Sequence, residues 1–188
     1  MTGKYQLLVI GGSAGSLEVI MQLLPGLDRR NGLAVVIVLH RKSNESVLVD
    51  LLGDITLWTV KEVEEKDSIE PGVIYLAPAD YHLLIETDRT FSLDFSEKVN
   101  YSRPSIDVTF ESAADVFGPA LVCLLLSGAN ADGAAGMKFA KKMGGLALVQ
   151  DPQDAAVSYM PQQAIDSMKV DKVLKATEMA VLINGLNG

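Results

Sequence analysis

Hydrophobic residues in the first part of the chain form short continuous runs that alternate with amphipathic segments. Residues 5–10 (YQLLVI) and 33–39 (LAVVIVL) are apolar without alternation, which is typical of strands buried on both faces. Between them, residues 16–24 place apolar side chains three or four positions apart, which predicts an amphipathic helix. Residues 47–52 predict another helix, and residues 56–60 a weaker third strand. Strands therefore alternate with helices from the start of the chain.

The alternation of predicted strands and helices is interrupted once and then resumes. Residues 73–77, 81–86 and 90–95 are short and partly alternating, so they predict a strand that runs into an antiparallel hairpin. The later segments predict helices after the N-cap Ser105 and over 132–143, 162–168 and 177–186, and strands over 121–126 and 146–149. Together these patterns predict one α/β domain over residues 1–188. Its sheet is doubly wound and mostly parallel, covered by helices on both faces, with an antiparallel hairpin.

Composition narrows the function classes. The 188 residues include 16 Lys+Arg and 24 Asp+Glu, a formal charge of −8, which argues against nucleic acid as a partner. One cysteine and two separated histidines give no recognisable metal-ligand spacing, and no cofactor motif is evident. The longest apolar runs are seven residues, and no export signal is present at the N-terminus. We therefore expect a cytoplasmic protein without direct membrane insertion.

Three polar residues follow the three most apolar predicted strands. Ser13 lies in the turn GGSAG (residues 11–15), His40 ends the second strand, and Asp132 follows the strand at 121–126. Parallel strands gather ligands and catalytic groups beyond their carboxyl ends, so we expect these side chains at one edge. A hydroxyl, an imidazole and a carboxylate are what acyl transfer requires.

Each of these residues also has a simpler explanation. Ser13 can cap the following helix, a glycine-rich turn can hold a phosphate, and Asp132 can cap its own helix. A histidine after a strand, such as His40, is more often structural than catalytic. The order Ser…His…Asp differs from the Ser…Asp…His of the α/β-hydrolases. Their coincidence at one edge nevertheless favours a catalytic site.

Several blocks of the sequence together resemble a known family. The blocks are IGGSAG at 10–15, His40, YLAP at 75–78 followed by His82, RPSID at 103–107, and DGAAGM at 132–137. In this order, over roughly residues 5–185, they resemble the catalytic domain of the CheB-type chemotaxis receptor-glutamate methylesterases. The combination of RPSID with DGAAGM is more specific than the serine turn alone.

The resemblance implies a serine hydrolase. Ser13 would be the nucleophile, His40 the general base and Asp132 its orienting carboxylate. Backbone N–H groups of Ala14 and Ala129 would form the oxyanion hole. The implied reaction is hydrolysis of γ-glutamyl methyl esters with release of methanol, often accompanied by deamidation of receptor glutamines.

The resemblance also implies partners and substrate contacts. We expect His82, Arg103 and Asn130 to bind substrate, with His82 at the border of a groove because it follows the segment PADY. The expected substrate is the methylated cytoplasmic helices of chemoreceptors. No receiver domain precedes the first strand of this sequence, so regulation differs or the domain is stand-alone or excised. A separate receiver or methyltransferase protein is therefore a further expected partner.

Two other functions remain open at this stage. Ala14 stands where the family commonly has Thr, Ser16 where it has Gly, and Asn130-Ala131 where it has Gly-Asn. These departures motivate a degenerate esterase-like domain that binds receptor or signalling partners without turnover. Nucleotide binding at the glycine-rich turn is the third hypothesis, although Ser13 replaces a glycine that the dinucleotide fingerprint requires.

Overall fold

Parallel strands make up the central sheet of this computed structural model, which describes residues 4–41 and 47–188. The strands are β1 (Leu7–Gly12), β2 (Ala34–Leu39), β3 (Thr59–Glu62), β4 (Val73–Leu76), β5 (His82–Ile85), β6 (Phe91–Asp94), β7 (Leu121–Leu125), β8 (Leu146–Gln150) and β9 (Lys172–Leu174). Seven of them form one sheet in the order β3-β4-β2-β1-β7-β8-β9, with all neighbours parallel. Strands β5 and β6 form a separate antiparallel hairpin.

Helices cover both faces of this sheet. They are α1 (Ser16–Leu23), α2 (Leu48–Gly53), α3 (Ile106–Phe117), α4 (Ala134–Lys142), α5 (Tyr159–Ser167) and α6 (Ala176–Asn184). Successive side chains of β1 point to opposite faces, so Leu7 and Val9 pack with α3, α4, α5 and the hairpin. Leu8 and Ile10 pack with α1, α2 and α6. The predicted fold class is confirmed.

The two edge strands are where the prediction was weakest. Strand β3 lies three residues beyond the predicted start at 56, because Trp58 is buried and its indole N–H donates to the Leu27 carbonyl oxygen at 3.1 Å. Trp58 thus serves packing, while the polar Lys61 and Glu62 pair with β4. Strand β9 was not predicted. Edge strands are short and partly exposed, so they lack the apolar run that marks a central strand.

The order of strands reverses direction around β1, which lies between β2 and β7. Gly12 pairs with Leu39 of β2, and Gly11 pairs with Leu125 of β7, so the three strands end at nearly the same level. Such a switch point opens a crevice at the carboxyl edge of a parallel sheet. The segments that follow these three strands therefore meet there. No helix within residues 4–41 and 47–188 has the length and apolarity needed to cross a bilayer.

Candidate active site

Ser13 occupies the turn between β1 and α1. Its N–H donates to the Ser127 carbonyl oxygen at 2.9 Å, and its own carbonyl oxygen accepts from the Ser16 N–H at 3.1 Å and the Ser16 hydroxyl at 2.6 Å. Two N–H groups of the turn are therefore used within the protein, which argues against a phosphate cradle. Within the described residues, the Ser13 hydroxyl itself makes no hydrogen bond.

His40 is the residue directly after β2. Because β1 and β2 are paired in parallel, it lies beside Ser13, the residue directly after β1. Its N–H donates to the Gly12 carbonyl oxygen at 3.2 Å, and its side chain is 12% exposed. Ring nitrogen Nε2 lies 2.7 Å from Asp132 Oδ2. An ionised carboxylate can only accept, so Nε2 carries the ring proton and Nδ1 keeps a lone pair. Nδ1 is therefore the nitrogen that can take a proton from a nucleophile.

The predicted triad is only partly assembled by hydrogen bonds. The described structure has the His40–Asp132 bond but no hydrogen bond from Ser13 Oγ to the ring. Nδ1 instead lies 3.5 Å from the hydroxyl of Ser102. In unliganded hydrolases, the bond between nucleophile and base is often long and tightens when substrate binds. Ser13 and His40 directly follow adjacent paired strands, so the two side chains start from neighbouring positions at one end of the sheet.

Asp132 is fully buried and caps a helix other than its own. Its Oδ1 accepts from the Ser105 hydroxyl at 2.8 Å and the Asp107 N–H at 3.0 Å, and its Oδ2 accepts from the Ile106 N–H at 2.6 Å. Those donors form the N-terminus of α3. The helix that follows Asp132 has Gly133 as its N-cap, without a side-chain cap. The alternative that Asp132 caps its own helix is therefore wrong.

The electrostatics favour an ionised Asp132. Burial raises the pKa of this carboxyl group, but hydrogen bonds from His40, the Ile106 and Asp107 N–H groups and Ser105 outweigh it. The pKa of Asp132 is consequently lower than its ordinary value. A carboxylate that stays charged beside the ring can stabilise the imidazolium formed during proton transfer.

The backbone groups expected to form the oxyanion hole are free to donate. Ala14 and Ala129 are exposed, and neither N–H makes a hydrogen bond within the described residues. The Ser127 hydroxyl donates to the Ala14 carbonyl oxygen at 2.7 Å and accepts from the Val157 N–H at 2.9 Å. These bonds hold the backbone that follows the nucleophile, which favours preorganised donors.

His82 is not where the sequence suggested. Its side chain is buried, with 1% of the residue exposed, so it does not border a groove. Ring nitrogen Nδ1 accepts from the Ser105 N–H at 3.1 Å, and Nε2 lies 2.9 Å from the Glu97 carbonyl oxygen. Because both ring nitrogens are used, His82 connects the hairpin to the start of α3 and has no free atom for substrate.

Arg103 and Asn130 lie beside the site and support its loops. Arg103 donates to the Ser96 carbonyl oxygen at 2.7 Å, and its guanidinium lies 3.9 Å from the ring centroid of Phe95. Asn130 donates to the Ser102 hydroxyl at 3.3 Å and accepts from the Asp132 N–H at 3.1 Å. Their expected contacts with substrate remain predictions.

Three further residues of the site were missed. Asp107 accepts from the Gly133 N–H at 2.9 Å, Asn100 donates to Asp107 at 2.8 Å, and Ser102 faces His40. An acidic residue in the first turn of a helix is common, so Asp107 carried no signal beyond its place in RPSID. Asn100 and Ser102 lie in a loop without periodicity. Across the described ranges, no group of three His, Cys, Asp or Glu side chains could hold a metal ion.

Comparison with known proteins gives one consistent result. The family model described as CheB methylesterase matches residues 8–183. The chain is 34% identical over 181 residues to the protein-glutamate methylesterase/protein-glutamine glutaminase 1 of Carboxydothermus hydrogenoformans, covering 93% of this chain and 53% of that protein. A relative from Leptospira interrogans, whose name gives the same two activities, is 45% identical over 180 residues. The match covers 95% of this chain and 93% of the relative. The chain thus spans about half of the first protein and most of the second.

A solved structure agrees with the sequence relatives. The crystal structure of the Thermotoga maritima CheB methylesterase catalytic domain superposes with a TM-score of 0.92 at 30% sequence identity. The match covers 97% of this chain and 98% of that chain.

Proposed function

The chain belongs to the CheB methylesterase family, and we propose that its Ser13, His40 and Asp132 hydrolyse methyl esters of glutamate side chains in chemotaxis receptors. The family and the enzyme class expected from the sequence are confirmed. The observation that carries the residue assignment is the 2.7 Å bond between His40 and the buried Asp132, at the strand edge next to Ser13. The substrate and the role of each residue are our proposal.

The first half of the reaction forms an acyl-enzyme. Ser13 Oγ attacks the ester carbonyl carbon while its proton passes to Nδ1 of His40, because Nε2 already donates to Asp132. The carbonyl oxygen becomes an oxyanion that the N–H groups of Ala14 and Ala129 stabilise. When the tetrahedral intermediate collapses, the methoxy group takes the proton from His40 and leaves as methanol. The γ-glutamyl group remains esterified to Ser13.

The second half restores the enzyme. Water attacks the acyl carbon and gives its proton to His40, which returns that proton to Ser13 as the bond breaks. The products are free enzyme and a glutamate carboxylic acid, which releases its proton to water at neutral pH. The same steps deamidate a glutamine if ammonia replaces methanol as the leaving group, and the names of the relatives include both activities.

An exposed aromatic rim beside the site favours a protein substrate. We define the rim as Tyr81, Phe95 and Tyr101; the rings of Tyr81 and Phe95 are 5.5 Å apart, and Tyr101 is 97% exposed. Tyr101 lies between Asn100 and Ser102, which contact the site carboxylates and His40. Exposed aromatic side chains next to a catalytic group are suited to anchor a helix that carries the ester.

We propose methylated chemoreceptor helices as that substrate and the cytoplasm as the place of reaction. The direct test measures methanol release from methylated receptor by the purified protein. Release above that of a Ser13→Ala variant supports the proposal. A degenerate domain, which binds signalling partners without turnover, would bind the receptor and release no methanol. A separate receiver or methyltransferase protein, added to the same assay, tests regulation.

Truncation of the rim should separate protein from small substrates. We expect Tyr101→Ala to lower kcat/KM for methylated receptor by about tenfold, the loss of one interface anchor, and to leave hydrolysis of a small chromogenic ester unchanged. The matched control is Leu57→Ala. Leu57 is 92% exposed and precedes β3, so it lies at the amino ends of the parallel strands and not at the carboxyl ends, where the site lies. Equal loss with both esters would assign Tyr101 to the chemical step.

The two histidines should respond differently to alanine. His40→Ala removes the base, so we expect a loss in kcat of roughly 10⁴-fold or more and little change in melting temperature. His82→Ala leaves the buried Ser105 N–H and the Glu97 carbonyl oxygen without partners, which costs about 1–3 kcal/mol of stability. Steady-state ester hydrolysis and thermal denaturation measure both effects. If His82→Ala had the larger effect on kcat in folded protein, the assignment of the base would be wrong.

A further inference from the structure

The N-terminus of α3 binds a carboxylate that lies just before α4, and the N-terminus of α4 binds a carboxylate of α3. Asp132, which precedes α4, accepts from the Ile106 N–H of α3 at 2.6 Å. Asp107, in the first turn of α3, accepts from the Gly133 and Gly136 N–H groups of α4 at 2.9 and 2.6 Å. The triad carboxylate is therefore one half of a reciprocal arrangement.

The close approach of the two helices depends on glycine. A Cβ atom at Gly136 would lie 2.7 Å from the Asp107 carbonyl oxygen, so a larger residue would push α4 away from α3. Gly133 has a φ of 97°, a left-handed conformation that glycine adopts without strain. Both glycines belong to the DGAAGM block, and both give their N–H to Asp107. The DGAAGM block thus binds a second carboxylate, that of Asp107, in addition to supplying Asp132.

One amide group links the two carboxylates. The side-chain nitrogen of Asn100 lies 2.8 Å from Asp107 Oδ2 and 3.4 Å from Asp132 Oδ1. Asn100 has a φ of 49°, which asparagine tolerates better than most residues. The backbone carbonyl oxygen of Asn100 also accepts from the Ser102 hydroxyl at 3.5 Å, and that hydroxyl faces His40. Asn100 therefore contacts Asp132 directly and also Ser102, the residue that faces His40.

This arrangement has an electrostatic cost. Burial and the nearby charge of Asp132 raise the pKa of Asp107 to about 6, although the Gly136 and Gly133 N–H groups oppose the shift. Two neighbouring buried carboxyl groups resist being charged together. A helix cap alone needs no second carboxyl group at this position, because serine or asparagine caps equally well.

We propose that Asp107 and Asn100 are positioning residues that hold the Asp132 carboxylate with Oδ2 directed at Nε2 of His40. Neither residue contacts the reacting atoms. They act by fixing the position of α4 relative to α3 and by binding Oδ1 of Asp132, so that the carboxylate does not rotate away from the ring. The activity part of this inference rests on the proposed esterase function, while the geometric part does not.

Two variants test the proposal without removing the helix caps. In Asp107→Asn, the amide oxygen still accepts from Gly133 and Gly136, but the amide nitrogen faces the Asn100 nitrogen, another donor. Asn100→Gly removes the bridging amide and keeps the positive φ. The matched control is Asp171→Asn, because Asp171 accepts from the Ala147 N–H at 2.8 Å and pairs with Lys141 in the last turn of α4, at the end of that helix away from Asp107.

Two measurements distinguish positioning from structural support. Misalignment of the carboxylate should lower kcat by about 10- to 100-fold in both variants, with KM changed by less than about twofold. The chain has two histidines, so nitrogen-15 labelling of histidine allows the Nε2 proton of His40 to be assigned by NMR. We expect this hydrogen-bonded proton signal to shift or disappear in both variants and to persist in Asp171→Asn.

One combination of results would overturn the proposal, and two other results would change only which measurement decides it. If both variants kept normal kcat and an unchanged His40 ring-proton signal, Asp107 would serve only as a helix cap. If Asp107→Asn did not fold, Asn100→Gly alone would decide by the same criteria. If the wild-type protein hydrolysed no ester, the proposed function would fail, yet the NMR signal would still decide whether Asp107 and Asn100 position Asp132.

Discussion

Replacement of Ser13 by alanine is expected to lower kcat for methyl ester hydrolysis by about 10⁴-fold or more, because no acyl-enzyme can form. The fold should be unaffected, since the Ser13 hydroxyl makes no hydrogen bond within the described residues. Its backbone bonds to Ser127 and Ser16 do not depend on the side chain. Methanol release from methylated receptor, together with thermal denaturation, measures both parts of this expectation.

The decisive control is a second hydroxyl near the same base. Ser102 Oγ lies 3.5 Å from Nδ1 of His40, whereas the Ser13 hydroxyl makes no hydrogen bond to that ring within the described residues. Ser102 is buried and accepts from Asn130, so it is poorly placed to meet a protein substrate. We expect Ser102→Ala to lower kcat far less than Ser13→Ala. The opposite ranking, with Ser13→Ala active and Ser102→Ala inactive, would move the nucleophile to Ser102.

Asp132→Asn should damage both activity and stability. The amide cannot keep all acceptor positions. In place of Oδ2, its nitrogen would face the Ile106 N–H and the Nε2 proton of His40, and in place of Oδ1 it would face the Asp107 N–H and the Ser105 hydroxyl. Loss of the charge and of the correct ring tautomer should lower kcat by about 10²-fold or more. Buried donors left without acceptors should cost about 1–3 kcal/mol, which lowers the melting temperature by several degrees. Activity that survives in a folded Asn variant would remove Asp132 from the catalytic group.

The stability part of this prediction has a defined pH dependence. The pKa of Asp132 is lowered in the fold, so its ionised form stabilises the folded state. That contribution is present above the ordinary pKa of an aspartate and is lost as the pH falls through the lower folded pKa. The difference in unfolding free energy between wild type and Asp132→Asn should therefore be larger at pH 7 than at pH 3, as urea denaturation can measure. A constant difference would mean that the charge is not what stabilises α3.

The expected loss of stability also differs from what the sequence alone suggested. As the N-cap of its own helix, Asp132 could be replaced by Asn with almost no change in melting temperature, because the two residues cap about equally well. The structure assigns Asp132 to the N-terminus of α3, where two N–H groups and the Ser105 hydroxyl converge on it. A carboxylate with that many donors cannot be exchanged for an amide without loss.

The sequence by itself determined that the sheet is mostly parallel, that Ser13 and His40 directly follow two of its buried strands, and which family the chain resembles. These features are local: a buried strand requires a continuous apolar run, and a parallel sheet brings the ends of its strands to one edge. The blocks GGSAG, RPSID and DGAAGM are likewise contiguous, so they are visible without any knowledge of packing. The edge strand β9 was not predicted, because it has only three residues, two of them exposed, and so lacks a recognisable apolar pattern.

Only the tertiary structure decided which groups surround the catalytic pair. Asp132 accepts from residues 25 to 27 positions earlier in the chain, and Asp107 accepts from Gly133 and Gly136. The burial of His82 likewise depends on Ser105 and on a loop that no periodic pattern describes. Capping is predicted from sequence as a contact between near neighbours, as for Ser105 in α3, whereas Asp132 and Asp107 bind N–H groups at the start of a different helix. A carboxylate's partner is set by which helix ends meet in space, and that depends on the packing of α3 against α4.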